Sequence, residues 1–249
     1  MYLQSADLIK ENETLEDLQL SGLSVIQKKD GFRFGIDAVL LSDFAKDIKA
    51  DEMLDMCTGS GVVPVLLSAK TAVPKLYGIE IQKEIFDGAK RTIELNGLTD
   101  RVFIENGDIK DGYKIYGKRR FSLITCNPPY MPKGTAVENE LTEKVIARHE
   151  VLCTLEDVIK SASMLLKQQG HLILVHKPTR LADIICLMRQ YEIEPKRIRL
   201  VYKKTYAEPS LVLVDGAYKG GKELRIMPPL YLYNENGEET EELKRIYGK

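Results

Sequence analysis

From residue 52 onward the chain alternates between two spacings of apolar residues. Short runs rich in consecutive apolar positions predict buried strands, and stretches whose apolar residues recur every three or four predict helices. Met53 to Cys57 is a strand that runs through Thr58-Gly59-Ser60-Gly61 into a helical Val62 to Lys70. Lys75 to Ile81 is a second strand, followed by an amphipathic helix from Gln82 to Asn96 with Gly97 placed to end it. Arg101 to Glu105 and Phe121 to Cys126 are the third and fourth strands. After a long connection over 127–150, Thr154 to Lys167 predicts a helix and His171 to His176 a fifth strand, and Pro178 opens a helix over 179–191. Ile198 to Tyr202 and Leu211 to Val214 complete a set of seven strands.

Strands alternating with helices predict an α/β domain with a mostly parallel sheet and helices on both faces. The last two strands have only a short polar connection between them, which predicts an antiparallel hairpin at the sheet edge. Upstream, residues 1–20 are polar and acidic, the pattern of a loosely held lead-in. Leu23 to Gly35 alternates around Lys28-Lys29-Asp30-Gly31, which predicts a hairpin turning at the glycine. Ile36 to Lys46 has helical spacing. The expected division is a lead-in and hairpin over 1–35, the α/β domain over 36–233, and an acidic tail over 234–249.

The 249 residues suit one large domain, and a net charge of −1 excludes the global basic field of a nucleic-acid coat. None of the four cysteines forms a CxxC pair, and the three histidines lack ligand spacing, so buried free thiols and no metal are expected. The first residues lack the basic and apolar regions of a signal peptide, and no apolar run approaches the roughly 18–20 residues of a membrane span. A cytoplasmic protein is the expectation. Nothing fixes the oligomeric state; a monomer is favoured.

Candidate chemistry concentrates at the strand ends. The fourth strand stops at Asn127-Pro128-Pro129-Tyr130. Two prolines stiffen this turn and hold a carboxamide, backbone carbonyls and an aromatic face at the strand's end, groups suited to a flat molecule carrying an NH2. Asp55-x-Cys57-x-Gly59-x-Gly61 occupies a strand-to-helix turn, where open α/β sheets bind ligands. Its glycines stand two apart and an acid precedes them, so it suits a cation such as an α-ammonium better than a pyrophosphate. Glu80 ends the second strand, where a carboxylate can accept both hydroxyls of a ribose. Asp108 follows the third strand and can accept from an adenine amine; a plain turn aspartate is the alternative.

Asp55/Gly59/Gly61, Glu80, Asp108 and the Asn-Pro-Pro-Tyr turn, at the ends of strands one to four in that order, resemble the class I S-adenosylmethionine-dependent methyltransferases that act on amino groups. The resemblance spans roughly residues 30–215 and implies a Rossmann-like fold. It implies a cofactor, S-adenosylmethionine, held by the glycine loop, Glu80 with Ile81, Asp108 with Ile109, and Asn127. It implies a substrate amine held by Asn127 and Pro128 with Tyr130 stacked on it. Cys57 stands where the family usually has a glycine, which a small side chain fits with a negative φ.

The same turn serves adenine N6, guanine N2 and glutamine amides. The stretches Phe32 to Leu41, Ala147 to Glu150 and Glu208 to Tyr233 resemble one subfamily, the tRNA1(Val) adenine-37 N6-methyltransferases and their Gram-positive relatives. This implies N6-methylation of an adenine in tRNA. The alternatives are rRNA guanine N2, DNA adenine, protein glutamine, or a non-catalytic RNA-binding module; a short lead-in counts against protein glutamine. Candidate RNA contacts are Arg33 and the cluster Lys196, Arg197, Arg199, Lys203 and Lys204, with Tyr206 and His149 behind them. Lys118 to Arg120, and Lys219, Lys222 and Arg225, form two further basic patches.

Overall fold

The computed structural model describes residues 8–30, 33–128 and 153–249. Two short antiparallel strands, β1 (Glu13–Asp17) and β2 (Ser24–Lys28), precede the main sheet. That sheet contains β3 (Glu52–Met56), β4 (Lys75–Glu80), β5 (Val102–Asn106), β6 (Phe121–Cys126), β7 (Leu166–His176), β8 (Ile193–Tyr202) and β9 (Pro209–Tyr218). Two-residue strands β10 (Arg225–Ile226) and β11 (Leu230–Tyr231) extend its edge along β8. The order is β8-β9-β7-β6-β3-β4-β5, all parallel except β9, which is antiparallel to both neighbours. The seven expected strands are present, and the edge hairpin is β8–β9 with β9 turned inward. The added β10 and β11 are too short to carry a periodic signal.

Helices cover both faces. α1 (Ile36–Ala45), α2 (Val62–Lys70) and α3 (Lys83–Leu95) pack on one side. α4 (Gly112–Tyr116), α5 (Leu155–Leu165) and α6 (Leu181–Gln190) pack on the other. α1 carries almost no helical asymmetry because eight of its ten residues are buried, from Asp37 to Ala45. α5 begins on a capping box: Thr154 accepts from the Asp157 N–H, and Asp157 accepts from the Thr154 N–H.

Two local expectations are corrected, the turn of the N-terminal hairpin and the burial of every cysteine. The N-terminal hairpin turns at Leu18–Leu23, not at Lys28–Gly31, so part of the supposed lead-in is strand β1. Its position is set by tertiary bonds: Ile26 N–H donates to Thr92 Oγ1 at 3.0 Å, and Arg91 donates to both Glu13 oxygens at 2.6 and 2.7 Å. That pairing holds the Glu13 carboxyl below the usual carboxylate range. The acidic tail forms α7 (Glu241–Ile246), whose Leu243 and Ile246 join the same core cluster as α1 and α2. Among the cysteines, Cys186 on α6 is exposed, while Cys126 is buried. Among the described residues no helix is long and apolar enough to cross a membrane.

Candidate active site

The C-terminal ends of β3, β4, β5 and β6 lie side by side and bring the expected residues to one edge of the sheet. The loop from β3 to α2 is built on alternate left-handed residues: Cys57 at φ +57°, Gly59 at +56° and Gly61 at +82°. The expected negative φ at Cys57 is not found. The chain leaves β3 by the bend a glycine would make, and the cysteine bears the steric cost of an L-residue there. Its sulfur lies against Cys126 and Cys153; the hydrogen bond with Cys126 and burial leave its thiol well above the ordinary range, against the opposing pull of the Cys153 contact. A Cβ at Gly59 would meet nothing within 4 Å, so this part of the loop faces open space. At Gly61 the backbone starts α2 close to Ala89 and Ile93 of α3.

Asp55 does not stand at the strand's tip. It is the fourth residue of β3, 2 % exposed, and accepts a hydrogen bond from Thr125 Oγ1 of β6 at 2.6 Å. Burial, reinforced by the charge of Glu80, pushes its carboxyl up to about 7 against the pull of that bond. It therefore lies beneath the loop. Glu80 ends β4 and is also buried, with Oε2 accepting the Gly59 N–H at 3.0 Å and Oε1 the Gln82 N–H at 2.9 Å. Beside it Ile81, 37 % exposed, offers an apolar surface. Asp108 caps a short 3-10 turn, Ile109–Asp111, by accepting the Lys110 N–H at 2.9 Å, and pairs with the Lys110 ammonium at 3.2 Å. Ile109 is buried behind it.

Asn127 follows β6. Its Nδ2 donates to Oδ2 of Asp37, in the first turn of α1, at 3.0 Å. A carboxylate only accepts, so the amide nitrogen must face Asp37 and the carboxamide oxygen is turned elsewhere. One N–H of the amide is thus committed to Asp37, and Oδ1 is the acceptor end of the group. Pro128 is buried. Pro129, Tyr130 and His149 lie outside the described residues. One strand away, His176 ends β7 with Nδ1 accepting the Lys177 N–H at 2.8 Å, and burial brings it down to about 4, so it is neutral. The role of Asp37 was missed from sequence. Its signal was a carboxylate in the first turn of an otherwise apolar helix, Ile36-Asp37-Ala38-Val39-Leu40-Leu41.

The basic residues separate. Arg197 pairs with Asp215 at 2.7 Å and lies over the Phe44 ring at 4.6 Å. Arg199 pairs with Glu242 at 2.7 Å and donates to the Pro228 carbonyl at 3.0 Å. Lys196 donates to the Gly221 carbonyl at 2.9 Å, and Arg33 pairs with Glu16. Arg120, with Glu52 at 2.9 Å and the Tyr77 hydroxyl at 2.6 Å, and Arg119, over Tyr218 at 4.1 Å, sit where β6 begins. That is the end of the sheet opposite Asn127, and Lys219, following β9, lies there too. Of the main cluster, only Lys203 and Lys204 are exposed at the Asn127 end without an ion pair among the described residues.

The site therefore combines a glycine cradle, acids on three successive strands and a carboxamide with an anchored donor. The description "Methyltransferase small domain" belongs to a family model that matches residues 34–190. A tRNA1(Val) (adenine(37)-N6)-methyltransferase of Porphyromonas gingivalis is 31% identical over 189 residues, 74% of this chain and 73% of its own length. An enzyme of the same name from Bacteroides thetaiotaomicron is 27% identical over 239 residues, covering 92% of this chain and 95% of its own. Among solved structures, a predicted O-methyltransferase from Agrobacterium tumefaciens superposes with a TM-score of 0.69 at 19% identity, covering 85% of this chain and 95% of that one. The tRNA m1G37 methyltransferase of M. jannaschii does so with a TM-score of 0.58 at 14% identity, covering 84% and 58%.

Proposed function

The chain belongs to the methyltransferase small domain family, and from that premise we propose that it methylates the exocyclic N6 of an adenine in tRNA, at anticodon-loop position 37, using S-adenosylmethionine. The observation that carries the amino-group chemistry is the Asn127–Asp37 bond. The adenine and tRNA parts of the reading rest on the relatives of that name, which match most of this chain. The same reading puts the protein in the cytoplasm with its substrate.

The residues present fit the cofactor. Gly59 leaves open space where a side chain would fill the cradle, Glu80 sits at the neighbouring strand end, and Ile81 offers an exposed apolar surface. Gly59 and Gly61 with Asp55 and Cys57 would surround its methionine part, Glu80 its ribose, and Ile81, Asp108 and Ile109 its adenine. Bound S-adenosylmethionine supplies an activated methyl group on a sulfonium.

Adenine N6 is neutral, so no strong base is needed to start. Its lone pair is delocalised into the ring, and it needs orientation and a shift towards tetrahedral nitrogen. Asn127 Oδ1 and the Pro128 carbonyl accept its two N–H bonds in this reading, which fixes the direction of the lone pair. Positive charge would develop on the nitrogen in methyl transfer, and one of its N–H protons would then be lost to water. The Asp37 carboxylate behind Asn127 polarises the carboxamide in the sense that stabilises that charge.

The test is direct. The protein is incubated with labelled S-adenosylmethionine and unmodified tRNA, rRNA or DNA, and the nucleic acid is digested to nucleosides. Label in N6-methyladenosine from tRNA is expected. Label in N2-methylguanosine, or in DNA alone, overturns the reading.

A further inference from the structure

The tip of the β8–β9 hairpin lies at the same end of the sheet as the candidate active site. Register carried across the sheet places Cys126, Leu174, Val214 and Ile198 in one row. Asn127 therefore falls on the next row, with Val175, Leu213 and Arg199. Beyond that row β8 continues three residues to Tyr202, about 10 Å at 3.3 Å per residue. Sideways, β8 is three strand spacings from β6, about 14 Å. The connection Lys203–Glu208 thus forms a raised tip on the same end of the sheet as Asn127, within reach of the few nucleotides that flank a target base.

Its side chains are arranged for a nucleic acid. Tyr206 is 97 % exposed, far beyond any other large apolar side chain among the described residues. Ala207 N–H donates to the Lys204 carbonyl at 3.2 Å, closing a four-residue turn with Tyr206 in third place at φ +64°. Turns with a left-handed third residue take glycine or asparagine there, because a bulky side chain is strained. An aromatic ring that pays this steric cost while left almost wholly exposed is poorly explained by folding. Lys203 and Lys204 adjoin it, exposed and unpaired among the described residues, whereas Arg197 and Arg199 lower on the same strand are held by Asp215 and Glu242.

We infer that this tip is a tRNA-binding arm, with the Tyr206 ring stacking on an unpaired base beside the target adenine and Lys203 and Lys204 contacting phosphates. Single-stranded loop bases are recognised in this way, by aromatic stacking combined with backbone charge. The inference rests on the tRNA reading given above and names the part of the protein that holds that substrate.

The test uses the full chain and unmodified tRNA. Tyr206→Gly relieves the left-handed strain, so its melting temperature is expected to hold or rise while its tRNA affinity falls about tenfold. Tyr206→Trp retains the affinity. The double variant Lys203→Ala with Lys204→Ala lowers the slope of log affinity against log salt by about 1.4, two phosphate contacts on a single strand. Affinity for S-adenosylmethionine stays within twofold in all of them. Tyr206→Gly binding tRNA as tightly as the unaltered protein, with an unchanged salt slope in the double variant, overturns the arm. Failure of the unaltered protein to bind any tRNA overturns the tRNA reading and the arm with it, and is visible before any variant is made.

Discussion

Asp37 and Asn127 stand ninety residues apart in the chain and meet at 3.0 Å, the carboxylate of α1 accepting from the amide of the β6 turn. The bond joins the two halves of the site: a helix that precedes the glycine loop and the turn proposed to receive the amine. It gives Asn127 one orientation.

Asn127→Ala is expected to lower kcat by roughly 10²–10³, the usual effect of removing one preorganised polar group. Asp37→Ala, which leaves the carboxamide in place but unanchored, should lower kcat by about tenfold to a hundredfold. Asp37→Asn can still accept the bond without charge and should fall between it and the unaltered protein. Calorimetry should find S-adenosylmethionine affinity within about twofold for both Asp37 variants. Unchanged kcat in Asp37→Ala would remove its positioning role.

Cys57 gives a test of backbone strain. Cys57→Ala and Cys57→Gly both delete the sulfur and its contacts with Cys126 and Cys153. Only glycine also releases the left-handed penalty at φ +57°, worth about 1 kcal/mol. The glycine variant should therefore be the more stable of the two by about that amount in urea unfolding. An alanine variant equal to or above it would show that the loop relaxes around an L-residue.

The strand–helix order and the residues at four strand ends were legible because both are local signals: apolar period, and glycine or proline where the chain turns. Phe121–Cys126 came out with the bounds seen in the fold. What was not legible depends on distant partners. Lys28–Gly31 has good turn composition, yet the hairpin pairs the other way because Thr92 and Arg91 of α3 hold β1 and β2. The basic cluster reads as a candidate surface that strand alternation can split between two faces. Strand alternation and the acids Asp215 and Glu242 divide it, and no sequence spacing reveals those pairings. Asp37 was hidden for the same reason: its partner is on another element.

Arg197 provides the complementary test of the basic cluster. Asp215 is 1 % exposed and is shared between Arg197 at 2.7 Å and His171 at 2.6 Å. Arg197→Ala leaves a buried carboxylate with one partner fewer and should cost about 2–3 kcal/mol of stability. At a temperature where the variant remains folded, tRNA affinity and its salt slope should match the unaltered protein. A reduced slope with unchanged stability would return Arg197 to the RNA surface.

Asp55 predicts an inverted pH dependence. Its carboxyl rises to about 7 in the fold, chiefly through burial, against about 3.9 when unfolded. Between those values the folded chain holds a proton that the unfolded chain has lost. Stability therefore declines as pH rises from 4 towards 7, opposite to the trend of a carboxylate stabilised by an ion pair. The limit for this one group is on the order of 4 kcal/mol. Asp55→Asn keeps an oxygen to accept from Thr125 and cannot ionise, so subtracting its urea-unfolding curve from that of the unaltered protein isolates the term. The difference should grow in favour of the asparagine across that window and level off above pH 7. A cation bound near the loop favours the ionised carboxylate, so S-adenosylmethionine binding to the unaltered protein at pH 6 should release protons, measurable by calorimetry in buffers of different ionisation enthalpy. Parallel stability curves for the two proteins, with no proton release, would mean that Asp55 is already ionised in the fold.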